Sequence, residues 1–130
     1  MTATPLEPSP ARDAVVTKAL LRAGGALGLS QKELARTLGV SEATMSRIAA
    51  SRSRRPGTLI AVDRKEGELS LLVLRVFRSL DALVGGDAQK LRAWFGAENV
   101  HLGGVPKERV QTVEGLVAVA TYLDAMRGNL

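Results

Sequence analysis

Residues 30–50, SQKELARTLGVSEATMSRIAA, leave the backbone few choices. Ser30 followed three residues later by Glu33 is a capping box, in which the hydroxyl accepts from an orphan amide of the first turn and the carboxylate reaches back to the cap. A helix therefore starts at residue 31, with Leu34, Ala35 and Leu38 on its buried stripe. Gly39 supplies a turn position where a positive φ is tolerated, and Ser41 caps a second helix whose inward residues are Met45 and Ile48. The spacing predicts two short helices joined by a tight turn. Ala35 is small where they cross, and Val40, Met45 and Ile48 fill the wedge between them.

That is what a helix-turn-helix requires. Gln31, Leu34, Ala35, Leu38, Gly39, Val40 and Ser41 stand in the register of a Gln-x-x-Leu-Ala-x-x-Leu-Gly-Val-Ser pattern, and here the chain resembles the Xre-like helix-turn-helix family. The resemblance implies that residues 42–50 are the recognition helix. Its outward residues, with the cap, are Ser41, Glu42, Ala43, Ser46, Arg47 and Ala50, and Arg47 is long enough for a two-pronged contact to guanine. The others are short and read few base edges, so specificity would lean on DNA shape and paired half-sites. SRSRRPG follows, with Arg52, Arg54 and Arg55 within four residues. Two readings are open for them: a clamp on phosphates, or a solvated basic loop.

The motif beside them favours the first, whereas charge alone is compatible with either. Through residue 60 there are nine Lys or Arg against four Asp or Glu, and from residue 61 onward nine against nine, so the net charge of +5 lies in the first half. A basic face of that kind attracts a polyanion. With 130 residues, 45% of them hydrophobic, the chain can bury one modest core or two small helical cores that share a face. No apolar run is long enough to span a bilayer, and MTATPLEPSPAR lacks the regions of a signal peptide, which predicts a cytoplasmic protein. Without cysteine and with one histidine, no metal site or other cofactor is expected.

The remaining elements follow from periodicity. Residues 1–10, with three prolines, read as a disordered arm. Val15, Val16, Ala19, Leu20 and Ala23 recur at helical spacing over residues 13–23, and Gly24-Gly25 is expected to close that helix. A connector over residues 57–68 is expected to hold a helical turn near Thr58–Val62, with a domain boundary near residue 66. Residues 68–84 form the most apolar segment, its hydrophobic residues covering most of a helix circumference. Either its own neighbours wrap it or a second copy does; on the second reading Leu69, Leu72, Val73, Val76, Phe77 and Leu80 form a homodimer interface. Gly85-Gly86 ends it, and Asp87 caps a short helix through Trp94-Phe95. Asn99 and Leu102-Gly103-Gly104 make a folded loop, Pro106 suits the first turn of another short helix, and Thr112 caps the last. That helix turns Leu116, Val119, Ala120 and Leu123 inward against the Trp94 helix, leaving Tyr122 and Arg127 free. The glycine pair lacks the Lys-Ser or Lys-Thr of a phosphate loop, and His101 has no partner at a telling spacing, so it reads as a loop hydrogen bonder.

The second half carries a more specific likeness. Trp94, Asn99, Leu102-Gly103-Gly104-x-Pro106, Thr112-x-Glu114-Gly115, a Val-rich helix through Leu123 and a closing Gly128 resemble the toxin-binding domain of the Xre/ParS/MbcA antitoxin family. The resemblance implies an all-α protein: a helix-turn-helix bundle over residues 11–66, then a small helical toxin-binding and dimerisation domain over 67–130. It further implies a type II toxin–antitoxin partner with a RES domain, which consumes NAD, and operator DNA bound for autorepression. The tip formed by Tyr122, Arg127, Gly128, Asn129 and Leu130 would enter the toxin's NAD cleft. No nucleophile with an oriented base and no close carboxylate pair is evident, so no enzyme is expected. The alternative is a helix-turn-helix repressor whose C-terminal half only dimerises or senses a ligand.

Overall fold

The computed structural model describes residues 10–50 and 58–128, and these form an all-α fold. In chain order the helices are α1 (Pro10–Leu27), α2 (Gln31–Leu38), α3 (Glu42–Ala50), α4 (Lys65–Leu83), α5 (Ala88–Gly96), α6 (Pro106–Arg109) and α7 (Val113–Gly128), with a 3₁₀ turn at Val100–Leu102. The arm over residues 1–9 lies outside the described residues.

Most helix ends fall where short polar residues can satisfy orphan amides. The Ser30 hydroxyl accepts from the Glu33 amide at 3.1 Å and the Ser30 amide donates to Glu33 Oε1 at 2.9 Å, so the capping box is complete. Asp87 accepts from the Gln89 and Lys90 amides, and Thr112 Oγ1 accepts from the Gly115 amide at 3.1 Å. Two expectations are corrected. Helix α1 does not close at Gly24-Gly25 but runs through both to Leu27. A Cβ on Gly24 would lie 3.0 Å from Leu34 Cδ2, so the glycine there admits α2 instead of ending α1. The carbonyls of Gly25 and Ala26, in the last turn of the helix, accept from Arg92 of α5 at 2.9 and 3.1 Å.

The second correction concerns Thr58–Val62, which holds no helical turn: residues 58–61 are irregular and a turn begins at Val62. The Ile60 amide donates to Thr17 Oγ1 at 2.9 Å and the Val62 amide to Asp13 Oδ1 at 3.1 Å. Alternate amides are thereby given to α1, with Ile60 fully buried under the strap. A helical turn would have drawn those amides inward.

Helix α4 runs through the middle of the molecule, packed against α1 and α7 and touching α2 and α5. One continuous core extends from Leu20 and Leu34 through Met45, Ile48 and Phe95 to Leu123. Leu69, Val73, Val76 and Leu80 are at most 4% exposed within a single chain. These four side chains are therefore not available as a seam between two copies; α1, α2, α5 and α7 already cover them. Leu72 and Phe77 are half-buried at the core's edge. Two of the buried hydroxyls are satisfied locally: Thr37 donates to the Glu33 carbonyl and Ser70 to the Glu66 carbonyl, each one turn back.

Candidate functional site

Two surfaces are built by this scaffold. The first is the exposed side of α3. Gly39 adopts φ 68°, and the Val40 amide closes back on the Ala35 carbonyl at 3.0 Å, which sets the sharp angle between α2 and α3. Ser41 then starts α3 by accepting from the Thr44 amide at 3.0 Å. Met45 and Ile48 anchor the inner side at 0% and 2% exposure. Ser41, Glu42, Ala43, Ser46, Arg47 and Ala50 are all exposed, as the motif requires. Arg47 donates through Nη2 to Thr44 Oγ1 at 3.2 Å, so the guanidinium is tethered on the surface. Arg52, Arg54 and Arg55 lie outside the described residues. Lys32 and Arg36, exposed on α2, are two further cations that the motif reading passed over.

Glu33 joins this surface to the rest of the chain. Its carboxylate caps α2, stands 3.6 Å from Lys107 Nζ, and accepts from Gln111 Nε2 at 3.5 Å. Partial burial disfavours the ionised form, yet the Ser30 hydrogen bonds and the Lys107 ammonium hold the Glu33 pKa below the usual carboxylate range.

The second surface is the outer side and end of α7. Leu116, Val119, Ala120 and Leu123 are buried as expected; the helix packs chiefly on α4 and then on α6, and meets α5 where Tyr122 reaches Trp94. Tyr122 is not free either. Its ring is half-buried and stacks on Trp94 (centroids 6.3 Å apart, planes at 14°) and on His101 (5.9 Å, 21°). The chain's one Trp, one Tyr and one His thus form a single stack. The loop sets the third ring: Asn99 Oδ1 accepts from the His101 and Leu102 amides at 3.0 and 3.2 Å, and Asn99 and Gly104 exchange backbone hydrogen bonds. Three unlike aromatic residues meeting in a chain with 3% aromatic content is the only hint the sequence offered.

One turn on, Asp124 accepts from Ser79 Oγ at 2.7 Å and pairs with Arg75. The Ser79 hydrogen bond, with Arg75 beside it, lowers the Asp124 pKa against the opposing effect of burial. Arg127 and Gly128 are exposed at the helix end, and Asn129 and Leu130 lie outside the described residues. Among the described residues no group of His, Cys, Asp or Glu could hold a metal ion, and no helix is long and apolar enough to cross a membrane.

A capped helix-turn-helix with an exposed second helix is joined through one core to a helical domain whose last helix is exposed at Arg127 and Gly128, the two-part architecture of a helix-turn-helix protein with a C-terminal helical module. The comparison with protein families agrees for both parts. The family of antitoxin Xre-like helix-turn-helix domains matches residues 8–75, and that of the antitoxin Xre/MbcA/ParS C-terminal toxin-binding domain matches residues 79–128. The chain belongs to the Xre/MbcA/ParS antitoxin family. No curated protein matches it.

Proposed function

We propose that the chain neutralises an NAD-consuming RES-domain toxin by closing its active site with the end of α7, and that the same chain binds operator DNA through α3 to repress its own expression. The observation that carries this reading is the exposed end of α7, with Arg127 and Gly128 at its tip, on a domain of the toxin-binding family. Arg127 would meet acidic groups or phosphate-recognising polar groups of the NAD cleft, and Asn129 and Leu130 would extend the plug. On the DNA side Arg47 reads a base edge from α3, while Arg52, Arg54 and Arg55, joined by Lys32 and Arg36, neutralise phosphates. The antitoxin itself performs no chemistry. The Tyr122 ring belongs to the stack that holds the loop against α7, so its role in the plug is support. Leu69, Val73, Val76 and Leu80 form no part of an interface in this reading, since they are core.

Removing residues 127–130 tests it. The shortened protein is expected to fold and to bind operator DNA as the full chain does, yet to leave NAD unprotected when mixed with the toxin at equal concentration. Full protection by the shortened chain would move inhibition from the tip to the face of α7.

A further inference from the structure

Between α1, α4 and the end of α7 the surface sinks into a groove of two contiguous hollows, about 650 and about 350 Å³. Its floor is apolar where water would ordinarily meet polar side chains. Val15 is 69% exposed and Leu71 46% exposed, above Leu74 and beside Ala19. The helical register explains the composition. Val15, Lys18, Ala19 and Arg22 fall on one stripe of α1, and Leu71, Leu74, Arg75 and Arg78 on one stripe of α4. Each stripe thus lays apolar residues along the floor and cations along the rim.

Most cations of the rim have no carboxylate partner among the described residues. Asp124 is the one carboxylate lining the groove among the described residues, and it is already engaged by Ser79 and Arg75. Lys18, Arg22 and Arg78 have no ion-pair partner among the described residues. We infer that this groove is a second contact surface for the toxin, seating a segment whose apolar ridge is flanked by Asp or Glu side chains. The inference rests on the toxin-binding reading above and adds the chemistry the partner must present.

Complementarity selects this occupant. A second copy of the chain, docked about a two-fold axis, would set one basic rim against another, and like charges facing each other oppose association. A DNA backbone would satisfy the cations but offers nothing to cover Val15 and Leu71. A protein segment with both chemistries covers the floor and neutralises the rim together. The groove also straddles the two halves: α1 lies in the part matched by the helix-turn-helix family, and Asp124 and Arg127 in the part matched by the toxin-binding family.

The test measures association and dissociation rates of the full-length protein with the purified toxin encoded beside it, at low and high salt. Two variants are compared with the unaltered chain: a floor pair, Val15→Ser with Leu71→Ser, and a rim pair, Arg22→Glu with Arg78→Glu. The floor pair is expected to speed dissociation on the order of tenfold, and the rim pair to slow association on the order of tenfold at low salt and to flatten its salt dependence. Unchanged rates in both pairs would overturn the groove while leaving the toxin-binding reading intact. Absence of any complex with the unaltered chain would overturn both. Lost self-association, or lost operator affinity, with toxin rates unchanged would assign the groove to a second copy or to nucleic acid and overturn the inference. The rim pair replaces only exposed side chains, so it decides the matter if the floor pair lowers the melting temperature.

Discussion

Arg47 has a hydrogen-bond partner within its own helix. Its guanidinium donates to the Thr44 hydroxyl, and Thr44 is the residue whose amide Ser41 caps, so a long surface side chain is tied to the first turn of its own helix. A tether of that kind reduces the entropy lost on recognition and adds little to folding, because the bond is exposed. Arg47→Ala is therefore expected to change unfolding free energy by less than about 0.5 kcal/mol. Operator binding should weaken by about 1–3 kcal/mol, with relaxed preference at one base pair, if the residue reads guanine. Titrations against single-base operator variants at fixed salt would check this; an equal loss on every sequence would make Arg47 a phosphate contact. Asp124 has the opposite economy, since its partners act on the folded state. The Ser79 hydrogen bond and the Arg75 guanidinium lower its folded pKa below the unfolded one. The stabilisation is then present above the ordinary carboxylate range and is lost as pH falls through about 4 and below. Asp124→Asn should be less stable than the unaltered chain at pH 7, by a margin that narrows as pH falls below the ordinary carboxylate range and through the lowered folded pKa. A gap in denaturant midpoints that does not narrow on acidification would mean that Asp124 acts through packing instead of charge.

Among the elements, α7 owes its direction to the corner it makes with α6. A Cβ on Gly115 would come within 1.8 Å of the Arg109 carbonyl oxygen, and backbone at that distance cannot yield without moving the helix. Gly115→Ala is expected to cost about 3 kcal/mol or more and to weaken toxin binding by tilting the tip. Gly25 is the contrasting case, inside α1 with no atom within 4 Å of an added Cβ. Gly25→Ala should stabilise the protein by about 0.5–1 kcal/mol, by favouring helix and restricting the unfolded chain. Equal midpoints for the two variants in urea would refute the reading of both sites. Such contrasts mark what could be seen in the sequence. Caps are local, so Ser30, Ser41, Asp87 and Thr112 announced their helices, and the exposed side of α3 followed from a motif only twenty-one residues long. Gly24-Gly25 and the strap at Ile60 and Val62 depended on partners elsewhere: the strap's acceptors stand 43 and 49 positions away. The same holds for Asp124, whose Ser79 partner is 45 residues distant, and for the Trp94–Tyr122–His101 stack. Periodicity identified the inner residues of α7 but could not say which helix they would meet.

For the molecule as a whole, the burial of α4 decides how the two halves relate. A helix apolar around most of its circumference can be covered by a second copy or by its own chain, and composition alone does not distinguish them. Here α1 and α2 cover it from one half while α5 and α7 cover it from the other, and Glu33 and Arg92 tie the halves across the surface. A helix shared in this way cannot lose one side of its covering and keep the other side intact, since the exposed face would be a continuous apolar strip. The two halves are therefore expected to unfold in one cooperative transition. Trp94, the single tryptophan, reports on the toxin-binding half through its stack with Tyr122, and far-ultraviolet circular dichroism reports on all the helices. Both signals should give the same urea midpoint. Leu80→Ala, which removes a side chain 1% exposed in that shared helix, should lower the two midpoints together, by about 2–5 kcal/mol in unfolding free energy. A fluorescence midpoint that separates from the dichroism midpoint in either protein would show that the halves unfold independently, and α4 would then be a linker between two cores.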